Sequence, residues 1–238
     1  MVLARWREVP PKFPCSDCKT ECFSELLGTY LLVLIGPTSI ILTALYLGTK
    51  ATQTLIIVSL TFGATVAILI LLLGKYSGAI INPALTAAVE TAGLLRRGLF
   101  LPLLISQTLG GLLAGFTLRF VLGPVDPGTR LGSTTLAVGL SPIMGVLLEA
   151  IGTFTMATSA LIVSTKIKTR RNQAILVGAT LFILILLIGP FTGAGFNPAR
   201  SLGPALASGN PDNLYVYLAG TMMGASTAGL LFRRVRKL

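Results

Sequence analysis

The stretch FGATVAILILLLGKYSGAIINPA, residues 62–84, returns later in the chain as VGATLFILILLIGPFTGAGFNPA, residues 177–199. The two stretches align without a gap and are identical at 14 of 23 positions. A second pair of matching segments, ELLGTY from Glu25 and EAIGTF from Glu149, lies upstream of them. The chain is therefore built from two related halves, and a fold for one half predicts the fold of the other.

The composition indicates a membrane protein. Of the 238 residues, 53% are apolar and 11% are charged, and the mean hydropathy is +0.83. A soluble domain carries far more charge. A transmembrane helix needs about 20 predominantly apolar residues, and the sequence predicts six such spans. They lie at roughly 23–47, 53–73, 99–122, 138–164, 174–190 and 213–232.

Two further segments are partly apolar but too short to cross a bilayer. They read SGAIINPALTAAVETAG at 77–93 and TGAGFNPARSLGPALASG at 192–209. Irregular backbone at membrane depth is tolerated where protein buries it or where it lines a watery cavity, so both segments are predicted to be re-entrant half-helices. Each half then has three spans, and an odd number places the halves in opposite orientations. Inverted repeats of this kind form a binding or permeation path at their interface, near the bilayer midplane.

Basic residues predict the orientation. They precede the first span, follow the first re-entrant segment, separate the fourth and fifth spans, and close the chain. With six spans all these positions fall on one side, which the positive-inside rule makes cytoplasmic, so we expect both termini inside. The net charge of +11 is then a topology signal with some attraction to anionic lipid, and nucleic-acid binding is not expected. The start of the chain has no features of a cleaved signal peptide.

Each Asn-Pro-Ala triplet is predicted to begin a short helix. Pro83 and Pro198 fit the first helical position, where a missing N–H costs nothing, and Asn82 and Asn197 fit the cap position. Two half-helices entering from opposite sides bring their N-termini together at the midplane, each with about half a positive charge. Such a meeting point repels cations. The alternative is that each Asn-Pro only caps a packed turn.

The Asn side chains also suggest how a proton is kept out. If the cap holds each side-chain carbonyl, each amide is free to donate to a passing oxygen. A water that accepts from both must point its hydrogens away, which interrupts a proton-conducting file. Arg200 follows in the first turn of the second half-helix. A charge at that depth is costly unless it faces water or carbonyls, so we expect Arg200 to line the path, the alternative being a structural charge bonded to loop carbonyls.

The chain resembles a known family in three features. These are the paired triplets Asn82–Ala84 and Asn197–Ala199, Arg200 after the second triplet, and the acids Glu25 and Glu149. From residue 21 to 233 the chain resembles the aquaporin and glycerol-facilitator family, the major intrinsic proteins. The wording GPFTGAGFNPARSLGPAL, TLRFVLG and YVYLAG is most similar to the nodulin-like branch. The resemblance implies an all-α aquaporin-like fold and a passive, non-enzymatic channel without a cofactor. It also implies a homotetramer in the cell membrane, with the two acids holding loop amides or carbonyls; a proton relay is the alternative for these acids.

The resemblance also implies a selectivity filter formed by Phe62, Ile185, Ala194 and Arg200. Water-selective members have His at the position of Ile185, whereas this chain contains no His. An apolar arc opposite Arg200, widened by Ala194, suits neutral solutes such as glycerol, urea, ammonia, and boric, silicic or arsenous acid. Phe62 departs from the smaller or indole-bearing residues of the nodulin-like branch. Ser201 stands where glycerol facilitators usually have Asp.

On this interpretation the chain has a cytoplasmic N-terminal segment at 1–22, a channel domain at 23–232 and a cytoplasmic basic tail at 233–238. Repeat 1 covers about 23–122 and repeat 2 about 138–232. Small residues such as Gly110, Gly111 and Ala114 allow helices to approach closely. The alternatives are a strict water channel, a secondary transporter and a non-conducting membrane scaffold. No nucleophile with a base and no cofactor motif is visible, so an enzyme is not expected.

All three cysteines lie in CSDCKTEC before the first span, at Cys15, Cys18 and Cys22. On a cytoplasmic side a disulfide framework is not expected. Free thiols or palmitoylation are the first interpretation. A structural metal site, with an oxygen from Asp17 or Glu21, and a metalloid sensor are the alternatives.

Overall fold

The computed structural model describes residues 18–48 and 52–237. In these ranges the chain is all helical, apart from turns and loops, and six of the helices are long and apolar enough to cross a membrane. The predicted all-α architecture with two additional short helices is therefore confirmed. The helices are α1 Cys18–Leu47, α2 Thr52–Leu73, α3 Pro83–Thr91, α4 Phe100–Leu122, α5 Pro142–Lys166, α6 Arg170–Thr192, α7 Pro198–Ser208 and α8 Leu214–Lys237.

The observed spans match the predicted ones, with differences at the ends that local chemistry explains. Helix α5 begins at Pro142 and not at the predicted 138, because Pro142 takes the first helical position and Ser141 caps the helix. The Ser141 hydroxyl accepts from the backbone N–H of Met144 at 3.3 Å. Helix α6 begins at Arg170 and not at 174. Its first turn is therefore basic and lies at the edge of the apolar span.

The two halves interlock through their half-helices. Helix α3 of the first half packs on α8 of the second, and α7 of the second packs on α4 of the first. Helices α3 and α7 also contact each other. Because each half-helix is held by a span of the opposite half, the point where the two helices meet is determined by both repeats.

Helices α2 and α6 cross at two glycines that are equivalent in the repeat. A Cβ at Gly63 would lie 2.7 Å from the carbonyl oxygen of Gly178, and a Cβ at Gly178 would lie 2.5 Å from that of Gly63. Small residues let membrane helices approach to backbone contact in this way. Gly110 and Gly111 also serve contacts within the chain, against Leu26 and Ala199.

The outer faces of the long helices carry large exposed apolar side chains, such as Phe120 and Leu187, as expected for surfaces that contact lipid. Several basic residues lie at the end of the bundle where α1 and α6 begin, whereas Arg119 lies at the opposite end, in the last turn of α4. Arg96 pairs with Glu21 at 3.1 Å, and the Arg170 side chain lies over Gly74, next to the end of α2. The orientation of this end relative to the membrane stays a prediction.

Candidate functional site

The two Asn-Pro-Ala triplets begin α3 and α7 as the sequence predicts. The side-chain oxygen of Asn82 accepts from the N–H of Ala84 at 2.9 Å and of Leu85 at 3.4 Å. Both Asn residues have extended backbone, and Pro follows each at the first helical position. Both short helices therefore start with a satisfied cap.

Asn197 caps α7 in the same way. Its side-chain oxygen accepts from the N–H of Ala199 at 3.0 Å and of Arg200 at 3.3 Å. The cap thus fixes the first turn of α7, which carries Arg200. The position of the one charged side chain on this turn follows from the cap that precedes it.

The amide groups of both Asn residues reach across to the other half of the chain. Asn82 Nδ2 donates to the carbonyl oxygen of Phe196 at 2.8 Å, and Asn197 Nδ2 donates to that of Ile81 at 2.9 Å. Sequence reasoning assigned these amides only to a passing oxygen and missed this cross-repeat exchange. Because an amide has two N–H donors, each Asn keeps one for the cavity that both residues line.

Glu25 is fully buried and holds the loop that precedes α3. Its carboxylate accepts from the Ser77 hydroxyl at 2.6 Å and from the N–H groups of Ile80 and Ile81 at 2.8 and 2.5 Å. The amide of Gln107 donates to it as well, at 2.7 Å. These four donors satisfy the buried carboxylate, as expected for a polar group inside a protein.

Glu149 holds the equivalent loop of the second half and is also fully buried. It accepts from the Thr192 hydroxyl at 2.6 Å and from the N–H groups of Gly195 and Phe196 at 2.9 and 2.8 Å. Neither acid lines the cavity. Their contacts are those of loop anchors.

The loops held by these acids have strained backbone. Ala79 and Ile81 have φ of 51° and 43°, and the equivalent Ala194 and Phe196 have φ of 48° and 49°. Non-glycine residues in this left-handed region cost about 1–3 kcal/mol each and persist where the surroundings over-determine them. The carboxylates supply that constraint, and the strained loops line the cavity from both halves.

A cavity of about 100 Å³ runs through the interface of the two repeats. It passes the two Asn side chains where α3 and α7 meet and is lined mainly by aliphatic side chains and loop backbone. Among the described residues that line it, Arg200 is the one charged side chain. The polar side chains of the lining are Asn82, Asn197, Arg200, Ser164 and Gln173.

The structure brings Phe62, Ile185, Ala194 and Arg200 into the lining of this cavity. The guanidinium carbon of Arg200 lies 5.2 Å from the centroid of the Phe62 ring, within range of a cation–π contact. The ring tip of Phe62 lies against Gly36 of α1, where a Cβ would be 2.2 Å away. The Phe62 ring can therefore occupy this position only because residue 36 has no side chain.

Arg200 is 2% exposed. Its Nη1 donates to the carbonyl oxygen of Gly132 at 3.0 Å, in the loop between α4 and α5. Its Nε has no partner among the described residues. Sequence reasoning missed Gly132, because the loop that supplies this carbonyl is far from Arg200 in the chain. One side of the guanidinium is thus anchored by protein, and the residue lines the cavity.

Residues 13–232 match the family model described as "Major intrinsic protein". The chain belongs to this family. It is 32% identical over 235 residues to Aquaporin NIP1-2 of Oryza sativa subsp. japonica, covering 94% of this chain and 76% of that protein. It is 34% identical over 228 residues to Putative aquaporin NIP4-1 of Arabidopsis thaliana, covering 94% and 77%. The likeness to aquaporins of the nodulin-like branch is confirmed by these relatives.

The fold of this family member matches a solved structure, the aquaglyceroporin from Plasmodium falciparum. The TM-score is 0.76 at 21% identity, over 92% of this chain and 95% of that one. The likeness shows the aquaporin fold. With the family established, the chain is a passive membrane channel for water and small solutes and is not an enzyme.

The cysteine run of this family member is described in part, because Cys15 and Asp17 lie outside the described residues. The thiols of Cys18 and Cys22 are 3.7 Å apart on successive turns of α1, and both are free. Glu21 pairs with Arg96. Among the described residues no group of three His, Cys, Asp or Glu side chains could hold a metal.

Proposed function

We propose that this channel conducts water together with small uncharged solutes and excludes ions and protons. The solute class comprises glycerol, urea, ammonia and metalloid hydroxides such as boric, silicic and arsenous acid. We further propose that the channel works in the cell membrane as a homotetramer with one cavity per subunit and both termini in the cytoplasm. The assembly rests on the family, and the location and orientation rest on the family and on the basic residues at the end of the bundle where α1 and α6 begin.

The observation that carries the solute proposal is the composition of the ring around Arg200. Phe62, Ile185 and Ala194 offer apolar surface, while Arg200 offers its guanidinium, a charged group that carries only N–H donors. A neutral molecule with a hydrocarbon or compact face and hydroxyl groups matches both sides of such a ring. A filter reserved for water would instead present polar groups that replace its hydration.

Ion exclusion is supported by the charges that converge on the cavity. The N-termini of α3 and α7 meet at the Asn caps and carry partial positive charge. Arg200 adds a full positive charge to the same path. A cation that enters therefore loses hydration while it meets repulsion, whereas a neutral solute meets neither penalty in full.

Proton exclusion is supported by the orientation of the two Asn amides. Each is fixed at both ends, by the cap on its oxygen and by the cross-repeat bond from its nitrogen. The remaining N–H of each amide can donate to a passing water, and a water that accepts from both cannot relay a proton. Their fixed orientation means that no side-chain rearrangement is needed at the moment of passage.

A strict water channel is the second candidate within the same class. The aromatic ring of Phe62 packs beside Arg200. It reduces the space that a larger solute would use, which favours this alternative. A secondary transporter is not supported, because coupling requires acidic or His groups in the path. The two buried acids, Glu25 and Glu149, are occupied by loop donors and lie outside the cavity lining.

The proposal is tested in proteoliposomes compared with empty vesicles of the same lipid. An osmotic step measures water flux, and isosmotic gradients of glycerol, urea and boric acid measure solute flux by swelling. We expect faster shrinkage, faster swelling and unchanged proton conductance. Water flux without any solute flux would support the alternative, a strict water channel. Water and solute rates equal to those of empty vesicles would refute a channel. Native mass measurement in mild detergent tests the tetramer.

A further inference from the structure

The two halves anchor their strained loops differently, although their spans have the same register. A Cβ at Gly110 of α4 would lie 2.4 Å from the carbonyl oxygen of Leu26, and a Cβ at Gly224 of α8 would lie 2.1 Å from that of Ala150. Leu26 and Ala150 each follow the buried acid of their half. Three residues before these glycines, Gln107 in the first half therefore corresponds to Thr221 in the second.

That exchange removes one anchor from the second half. In the first half, Gln107 donates directly to the carboxylate that holds the loop. In the second half, the Thr221 hydroxyl donates to the carbonyl of Tyr217 in its own helix. Glu149 is consequently left with the donors of its own loop and none from α8.

A different residue of α8 takes over this support. Tyr217, one turn before Thr221, is 1% exposed. Its hydroxyl donates to the backbone carbonyl of Thr192 at 2.8 Å. The Thr192 hydroxyl in turn donates to Glu149 at 2.6 Å and accepts from the N–H of Ala194 at 3.1 Å. Two hydrogen bonds joined through Thr192 thus connect α8 to the backbone of Ala194, and a third ties Thr192 to Glu149.

We propose that Tyr217 is the positioning residue of the solute filter and sets the largest solute that passes. Ala194 has a strained φ of 48°, and such a conformation persists only while its surroundings define it. Removing the Tyr217 hydroxyl releases the Thr192 carbonyl and loosens the segment that carries Ala194. The ring then samples a range of widths, and its size limit becomes less sharp. This inference rests on the proposed solute conduction.

The test compares the wild-type channel with Tyr217→Phe in proteoliposomes, using water, glycerol and the four-carbon polyol erythritol. We expect the ratio of erythritol to glycerol flux to rise by about threefold or more, because a change in the contacts of a pocket alters discrimination between solutes. Water flux changes less than the ratio does. The matched control is Tyr215→Phe, at an exposed tyrosine two positions away, and it leaves the ratio unchanged.

Thr192→Val provides a second variant, since it removes the hydroxyl between Glu149 and Ala194 and keeps the carbonyl that Tyr217 binds. It is expected to shift the ratio in the same direction, and an unchanged ratio in this variant overturns the inference even if Tyr217→Phe is not recovered as folded protein. An unchanged ratio in folded variants overturns the inference, and so does an equal loss of all three fluxes, which marks a merely structural role.

The wild-type measurements separate this inference from the function on which it rests. If the wild type passes water but no glycerol, the solute proposal fails, and Tyr217→Phe is then expected to admit glycerol. Continued exclusion of glycerol by that variant overturns the inference too. If the wild type passes glycerol and the variants keep its ratio, only the role of Tyr217 is refuted.

Discussion

Asn82 and Asn197 exchange hydrogen bonds across the repeat interface: the first donates to Phe196 at 2.8 Å and the second to Ile81 at 2.9 Å. Each acceptor is the residue immediately before the partner Asn. The start of each half-helix is therefore fixed by the other half, and neither cap can move alone. The two caps at the centre of the cavity are thus coupled through hydrogen bonds between the halves.

Substituting Asn197 by Asp tests that exchange. Asp still accepts from the N–H groups at the start of α7, so the cap survives, but it cannot donate to Ile81 and it places a negative charge in the cavity. We expect a loss of about 1–3 kcal/mol of stability for the unsatisfied carbonyl, together with a measurable cation or proton leak. Thermal unfolding in detergent and pH-sensitive dyes in vesicles measure the two effects. Asn172→Asp, at an exposed position in the first turn of α6, should show neither.

Replacing Glu149 by Gln tests the loop anchors. The two oxygens of the carboxylate accept from three donors. In Gln one of these oxygens is replaced by an NH2 group, which is a donor and would face the donors of the loop. We expect a loss of about 1.5–3 kcal/mol, the usual value for a hydrogen bond to a charged group, measured as a lower midpoint of thermal unfolding. Glu90→Gln is the control because Glu90 is exposed. Equal midpoints for both variants would contradict the anchoring role.

Much of this architecture was predictable because it depends on local patterns. Span length, the Pro that follows each Asn, and the gapless repeat are all visible within short windows of sequence. The half-helix starts were placed correctly, since Asn-Pro carries its own capping chemistry. The early start of α6 was missed, because Arg170 is basic and the apolar window begins only after it.

The remaining features depend on contacts between distant segments. The carbonyl of Gly132 that anchors Arg200 belongs to the long loop after α4, and no residue type there marks a carbonyl acceptor. The support that Tyr217 gives to Thr192 has no counterpart at the equivalent position of the first half. A pattern that repeats was therefore predictable, whereas a departure from the repeat was visible only in three dimensions.

Gly178→Ala tests the contact at which α2 and α6 cross. The added methyl would lie 2.5 Å from the carbonyl oxygen of Gly63, so the helices must separate. Overpacking of this kind typically costs about 1–3 kcal/mol, and a lower unfolding midpoint in detergent measures it. Gly123→Ala is the matched control, because its nearest neighbour would be 3.9 Å away and its φ of −52° suits any residue. If Gly123→Ala lowered the unfolding midpoint as much as Gly178→Ala, the contact between α2 and α6 would not be the cause of the destabilisation.

Thiol labelling tests the proposed orientation. All three cysteines lie before or in the first turns of α1, and Cys18 is exposed. A membrane-impermeant maleimide added outside intact cells should not label the protein, whereas addition after the membrane is opened should. The control is a cysteine-free chain carrying Thr135→Cys, at an exposed position in the loop between α4 and α5, which should be labelled from outside. Reversed labelling of the two proteins would place the termini outside.

Ile185→His tests the filter itself. Ile185 lines the cavity together with Arg200, and His at this position replaces apolar surface by a polar ring that can hydrogen-bond water. Glycerol and urea flux should therefore fall more than water flux, because a solute loses the apolar face it packs on while water gains a partner. Ile185→Val keeps the apolar surface and should preserve the flux ratios. Identical ratios in the His variant and the wild type would show that Ile185 is not part of the ring that selects solutes.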